Sequence, residues 1–90
     1  MSTVEETLKD RDDRYGGSFL EQSQIAQQLK NIVHNSPNWA QMRVDKREAL
    51  EMIMTKVSRI CYGDHNDTDS WHDIQGYAAL IERELEKNKR

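Results

Sequence analysis

The sequence predicts an all-α fold: a small antiparallel bundle of about four helices, built by a single domain over residues 1–90. Three observations carry this prediction. Apolar residues recur at three- and four-residue spacing from end to end, and no segment alternates β-branched and polar residues as a strand would. Helix-start signals stand before each apolar stretch. The helix breakers gather at Gly16-Gly17, Pro37 and Gly63, and only Gly76 falls inside a helical pattern.

The elements follow in order. Thr3 and Glu6 form a capping box for a short first helix, with Val4, Thr7 and Leu8 on one face, expected to end near Arg11 to Asp13. Arg14-Tyr15-Gly16-Gly17 reads as a turn, because paired glycines disfavour helix. Residues 1–17 thus make a short helix and turn, and residues 18–90 the helical core. A second helix starts at Ser18, capped reciprocally with Glu21, and carries the stripe Phe19, Ile25, Leu29, Ile32 and Val33. Pro37 ends it by disfavouring helical geometry at Ser36. The third helix spans about Val44 to Tyr62, with Asp45 and Glu48 as a box-like cap. Its expected buried stripe is Leu50, Ile53, Val57, Ile60 and Cys61, and Gly63 closes it. After a polar loop, the fourth helix runs from near Ser70 toward Lys87, with Ile74, Tyr77, Ala78, Ile81 and Leu85 inward. Helices three and four form a hairpin.

Bulk composition narrows the function classes. Only 36% of the 90 residues are hydrophobic and the mean hydropathy is −0.97. A monomer of this size buries only about 60% of its unfolded surface, so a homo-oligomer is expected to supply the missing burial. The formal charge of −3 argues against general nucleic-acid binding, which needs a basic surface. Cys61 is the only cysteine, which excludes an intrachain disulfide and fits a reducing cytoplasm. The acidic N-terminus has no apolar stretch of a secretory signal, and no apolar run approaches a membrane span.

The chemistry concentrates between Met52 and Ala78. Lys56 and Arg59, one helical turn apart, flank the apolar stripe and could grip a phosphate, Arg as a planar fork and Lys as a point charge. A solvated flank paired with Glu48 or Glu82 would use the same residues. Asp64, Asp67, Asp69 and Asp73, with His65 and His72, could hold a divalent metal, but Asp near a helix start is also an ordinary cap or turn residue. Trp71 and Tyr77 are six apart and point differently. Gly76 costs roughly 1 kcal/mol within a helix, which suggests close approach of a helix or a ligand ring. Glu48 and Glu51 share a Glu-x-x-Glu spacing. No nucleophile system, Walker loop or zinc spacing is visible.

Three blocks carry a family resemblance: Asp10-Arg11-Asp12-Asp13-Arg14-Tyr15-Gly16 with Phe19 and Ile25-Ala26; Ala49-Leu50, Ile53, Lys56-Val57 and Arg59-Ile60; and Asp69-Ser70-Trp71, Asp73-Ile74 and Gly76-Tyr77-Ala78. In this order they resemble a family of small phage and prophage helical proteins. That family is distantly similar to MazG-like nucleoside triphosphate pyrophosphohydrolases, which hold Mg²⁺ with Glu-x-x-Glu on one helix and Glu-x-x-Asp on the next. Here the second half departs from the pattern, since Asp69, Asp73 and Glu82 do not have that spacing. The resemblance implies a phage-encoded protein of the host cytoplasm. It groups Lys56, Arg59, Asp69, Trp71, Asp73 and Tyr77 into one ligand site, with Arg11, Arg14 and Tyr15 closing over it from the N-terminal arm or another subunit.

Three functions follow from this inventory. The first is a non-enzymatic sponge that sequesters a phosphate-bearing signalling nucleotide of host immunity, with no catalytic residue, metal or cofactor. The second is a hydrolase using Glu48, Glu51 and Asp73 with Mg²⁺. The third is an adaptor that blocks a host protein through the acidic loop.

Overall fold

The computed structural model describes residues 3–15 and 19–88, with the side chains of 11–15 outside the description. Among the described residues there are four α-helices, one 3₁₀ turn and no strand. Helix α1 spans Val4–Tyr15, α2 Phe19–His34, α3 Val44–Tyr62 and α4 Thr68–Lys87, with the 3₁₀ turn at Trp39–Gln41 between α2 and α3. The all-α bundle expected from periodicity is therefore the fold.

Local chemistry explains most of the boundaries. Thr3 Oγ1 accepts the Glu6 backbone N–H at 3.1 Å, which satisfies one of the unpaired donors at the start of α1. Helix α1 continues to Tyr15 rather than stopping at Arg11 to Asp13. The expected Ser18 cap and the Gly16-Gly17 turn lie outside the described residues. After α2, Ser36 Oγ donates to the Val33 carbonyl at 2.6 Å, and the chain then turns once more before α3. The start of α3 differs from the expected box. Its N-cap is Arg43, with no side-chain cap. Asp45 instead accepts two hydrogen bonds from Arg43, at 2.9 and 2.6 Å. This holds the Asp45 carboxyl down at about 2.

Helix α3 is the centre of the bundle, packed along α2 on one side and α4 on the other, and touched lightly by α1. Two contact sides explain why its buried residues are Ala49, Met54 and Ser58 and not the single stripe read from the sequence. Leu50 stays at the exposed margin and Cys61 is exposed. Small residues allow α2 and α3 to approach: Ala26 of α2 and Ser58 of α3 are buried, and Gln22 of α2 is buried with them. The α2 stripe is covered only in part. Ile25, Leu29 and Val33 are half-buried, whereas Phe19 is 79% and Ile32 70% exposed. On α4, Ile74, Tyr77 and Ile81 are half-buried, and Ala78 and Leu85 are exposed. The hairpin register is marked by ion pairs at both ends, Arg43 to Glu84 at 3.4 Å and Lys56 to Asp73 at 2.9 Å. The chain is extended, with a radius of gyration of 15.5 Å where a compact domain of its length has about 12 Å.

This packing reverses the expectation for two side chains: Met54, outside the expected stripe, is buried, and Cys61, expected inward, is exposed. Met54→Ala should lower the unfolding free energy by about 2 kcal/mol or more, and Cys61→Ala should change it by less than about 0.5 kcal/mol. Urea denaturation of the two variants measures both.

Candidate functional site

The hairpin between α3 and α4 assembles part of the expected site. Gly63 ends α3, its N–H donating to the Arg59 carbonyl at 2.7 Å. Asp64 Oδ1 accepts the Asn66 N–H at 2.9 Å, a local turn bond. Ser70 Oγ, only 2% exposed, donates to Asp67 Oδ2 at 2.9 Å and fixes the first turn of α4. Asp64 and Asp67 are thus occupied in shaping the loop.

Lys56 and Asp73 are brought together. The Lys56 side chain is 14% exposed, and its Nζ lies 2.9 Å from Asp73 Oδ2. The hydrogen bond from Lys56 holds the Asp73 carboxyl below its ordinary range, with the charges of Lys56, His72 and Arg59 adding to the effect and burial opposing it. Asp73 and Tyr77 also line an open cleft of about 410 Å³ on α4, together with His72, Gly76, Leu80 and Arg83. A Cβ built on Gly76 would meet nothing within 4 Å. Among the described residues the close approach expected at this glycine is therefore not made, and Gly76 instead opens the floor of the cleft.

The other predicted residues do not line this cleft, although the charge of Arg59 reaches Asp73. Trp71 is exposed, and its Nε1 donates to the His65 carbonyl at 3.0 Å, which ties it to the loop. Asp69 is exposed in the first turn of α4. Arg59 lines a small groove of about 160 Å³ between α2 and α3, beside Phe19, Gln22 and Lys30. The side chains of Arg11, Arg14 and Tyr15 lie outside the described residues.

A second cleft, of about 390 Å³, was not read from the sequence. His34, Trp39, Val44, Arg47, Glu48 and Glu51 line it. His34 Nε2 and Glu51 Oε2 are 2.9 Å apart, and the His34 and Trp39 rings lie 4.6 Å apart at 38°. Arg47, one of the lining residues, has a buried Nε with no hydrogen-bond partner among the described residues. The available signal was Pro37-Asn38-Trp39, a turn that folds an aromatic ring back on the end of α2. Glu48 and Glu51 face this cleft, whereas Asp73 sits in its pair with Lys56. Among the described residues, no group of three or more His, Cys, Asp or Glu side chains could hold a metal ion. No described helix is long and apolar enough to cross a membrane.

The carboxylates give the pH dependence a definite sign. Asp73 and Asp45 are depressed in the folded chain, so their stabilisation is fully present above the ordinary carboxylate value of about 3.9. It is lost as pH falls through the folded values, which for Asp45 is about 2. In Lys56→Met the Asp73 titration followed by carbon NMR should move up toward the ordinary value, and an unmoved midpoint would show that the pair does not form in solution.

No curated protein and no solved structure matches the chain. A family match covers residues 1–85, nearly the whole length. The chain therefore belongs to DUF6378, a domain of unknown function.

Proposed function

We propose that this chain is a phage-encoded binding protein that takes up a phosphate-bearing signalling nucleotide of host immunity and does not cleave it. The observation that carries this reading is the open cleft over Gly76, with Tyr77, His72 and Arg83 on its walls and the Lys56–Asp73 pair beside it. Cationic groups and an aromatic ring around an unfilled space suit a phosphate joined to a flat base. An incoming phosphate would exchange for the Asp73 carboxylate on Lys56, and the freed carboxylate would accept hydrogen bonds from a ribose or base. Arg59 already contributes charge at Asp73. Trp71, Asp69, Arg11, Arg14 and Tyr15 belong to this reading as residues that close around the ligand, from the same chain or from another copy.

A second reading has its own observation. Glu48 and Glu51 share one cleft with Trp39 and with Arg47, whose buried guanidinium Nε has no partner among the described residues. That arrangement favours a nucleotide at the Glu-x-x-Glu helix, as in MazG-like hydrolases. Those use four carboxylates for Mg²⁺, and the two here with His34 do not complete such a set.

Incubating the protein with a mixed panel of nucleoside triphosphates and cyclic or ADP-ribose-type nucleotides, with Mg²⁺ present, distinguishes the readings. Mass spectrometry should find one nucleotide depleted from the filtrate and returned intact on heating. Its return as a monophosphate would establish the hydrolase, and an untouched panel would overturn both. Removing both cations, as Lys56→Ala with Arg59→Ala, should weaken binding by about 100-fold or more, since charge-assisted bonds contribute about 1.5–3 kcal/mol each. Unchanged affinity in that variant would move the site elsewhere. Gly76→Ala should stabilise the free chain by about 0.5–1 kcal/mol while weakening ligand binding, a split that calorimetry with and without nucleotide reads directly.

A further inference from the structure

Between α3 and α4 runs a second open groove, of about 750 Å³, with no α2 residue on its walls. Leu50 and Ile53 of α3 and Ile81 and Leu85 of α4 supply much of its apolar lining. Leu50 and Leu85 are among the exposed large hydrophobic residues. Charge is divided across the groove: Lys46 stands on the α3 side, and Glu82 and Glu86 on the α4 side.

We propose that a second copy of this chain fills the groove, related by a two-fold axis that runs along the hairpin. Such an axis lays α3 of each copy over α4 of the other, antiparallel and at the same height, and completes a four-helix core. The Arg43–Glu84 and Lys56–Asp73 pairs fix that height, and they place Lys46 level with residues 81 and 82. Lys46 then meets the partner's Glu82 and Glu86, and the symmetry makes the contact twice. An apolar partner of unrelated chemistry would have no use for two rims of opposite sign, whereas a copy of the same chain matches both.

The surface area agrees with this occupant. The chain exposes 6896 Å², where a compact monomer of 10.6 kDa has about 5,500 Å². That excess, to which the lightly attached α1 also contributes, is larger than the roughly 800 Å² that each partner of a stable interface buries. This association does not rest on the nucleotide reading. The two meet at Tyr77, which lines both this groove and the α4 cleft, so pairing of the copies would fix the ring that faces the ligand.

Sedimentation velocity on the full chain at up to about 100 µM should give a dimer or an even-numbered assembly of dimers. Leu50→Glu, which adds a charge to each half of the interface, should raise the dissociation constant by about 100-fold or more. Lys46→Glu or Glu82→Lys alone should raise it by about 3- to 30-fold. The exchanged pair Lys46→Glu with Glu82→Lys should recover to within about threefold of the wild type. Circular dichroism confirms that each variant is folded. A wild-type monomer at the highest concentration would overturn the proposal. So would an assembly that Leu50→Glu leaves intact, or an exchanged pair no tighter than either single variant.

Discussion

The structure depends on how little one copy of the chain can bury around α3. The central helix is packed on two sides, yet its fully covered residues are Ala49, Met54 and Ser58, of which only Met54 is large. Ala26 completes the buried apolar set among the described residues. At about 25 cal/mol per Å² of apolar surface removed from water, so few covered side chains offset little of the entropy of ordering a chain of this length. Polar contacts therefore hold much of the geometry. Arg43, Asp45 and Glu84 join the open end of the hairpin, and Lys56 with Asp73 joins the end beside the loop. Exposed pairs such as those of Arg43 contribute about 0–1 kcal/mol each, and the Lys56 pair is open to solvent on its Asp73 side. They set register better than they stabilise.

The same economy explains why the candidate sites are open clefts. Among the described residues, no further helix covers Gly76 and the surrounding face of α4, and none covers the α3–α4 groove. Surfaces that a larger domain would cover remain available for a ligand on one side and a copy of the chain on another. Loop residues act in support of this arrangement. Ser70 and Asp67 anchor the start of α4, and Trp71 braces the loop through the His65 carbonyl, which holds the Lys56–Asp73 pair at a defined height in the hairpin.

Helix identity and order were legible in the sequence because 3.6-residue periodicity and the breakers are local signals. The Thr3 cap, the bounds of α3 and the hairpin followed from them. The buried face of α3 was not legible, since a stripe analysis assumes one contact side and α3 has two. Cys61 was misplaced inward for that reason. Of the site, Lys56 and Asp73 are grouped only by the family resemblance; their ion pair, in place of the expected partners Glu48 or Glu82, and the open space at Gly76, in place of a close approach, depend on the hairpin register and on which faces stay uncovered. Trp71 was not recognisable as a loop brace, because its partner is a backbone carbonyl with no residue signature. The His34–Trp39 cleft escaped because its members come from α2, a turn and α3, and only the folded chain brings them together.

The dependence of thermal stability on chain concentration tests most directly whether a second copy finishes this fold. When two folded chains dissociate as they unfold, mass action raises the midpoint with concentration, by about 4 °C per tenfold for a pair of this size. Calorimetry over a roughly hundredfold range should show that rise. A midpoint that stays fixed across the range would mean that the thin core around α3 is sufficient alone, and would contradict association as its completion.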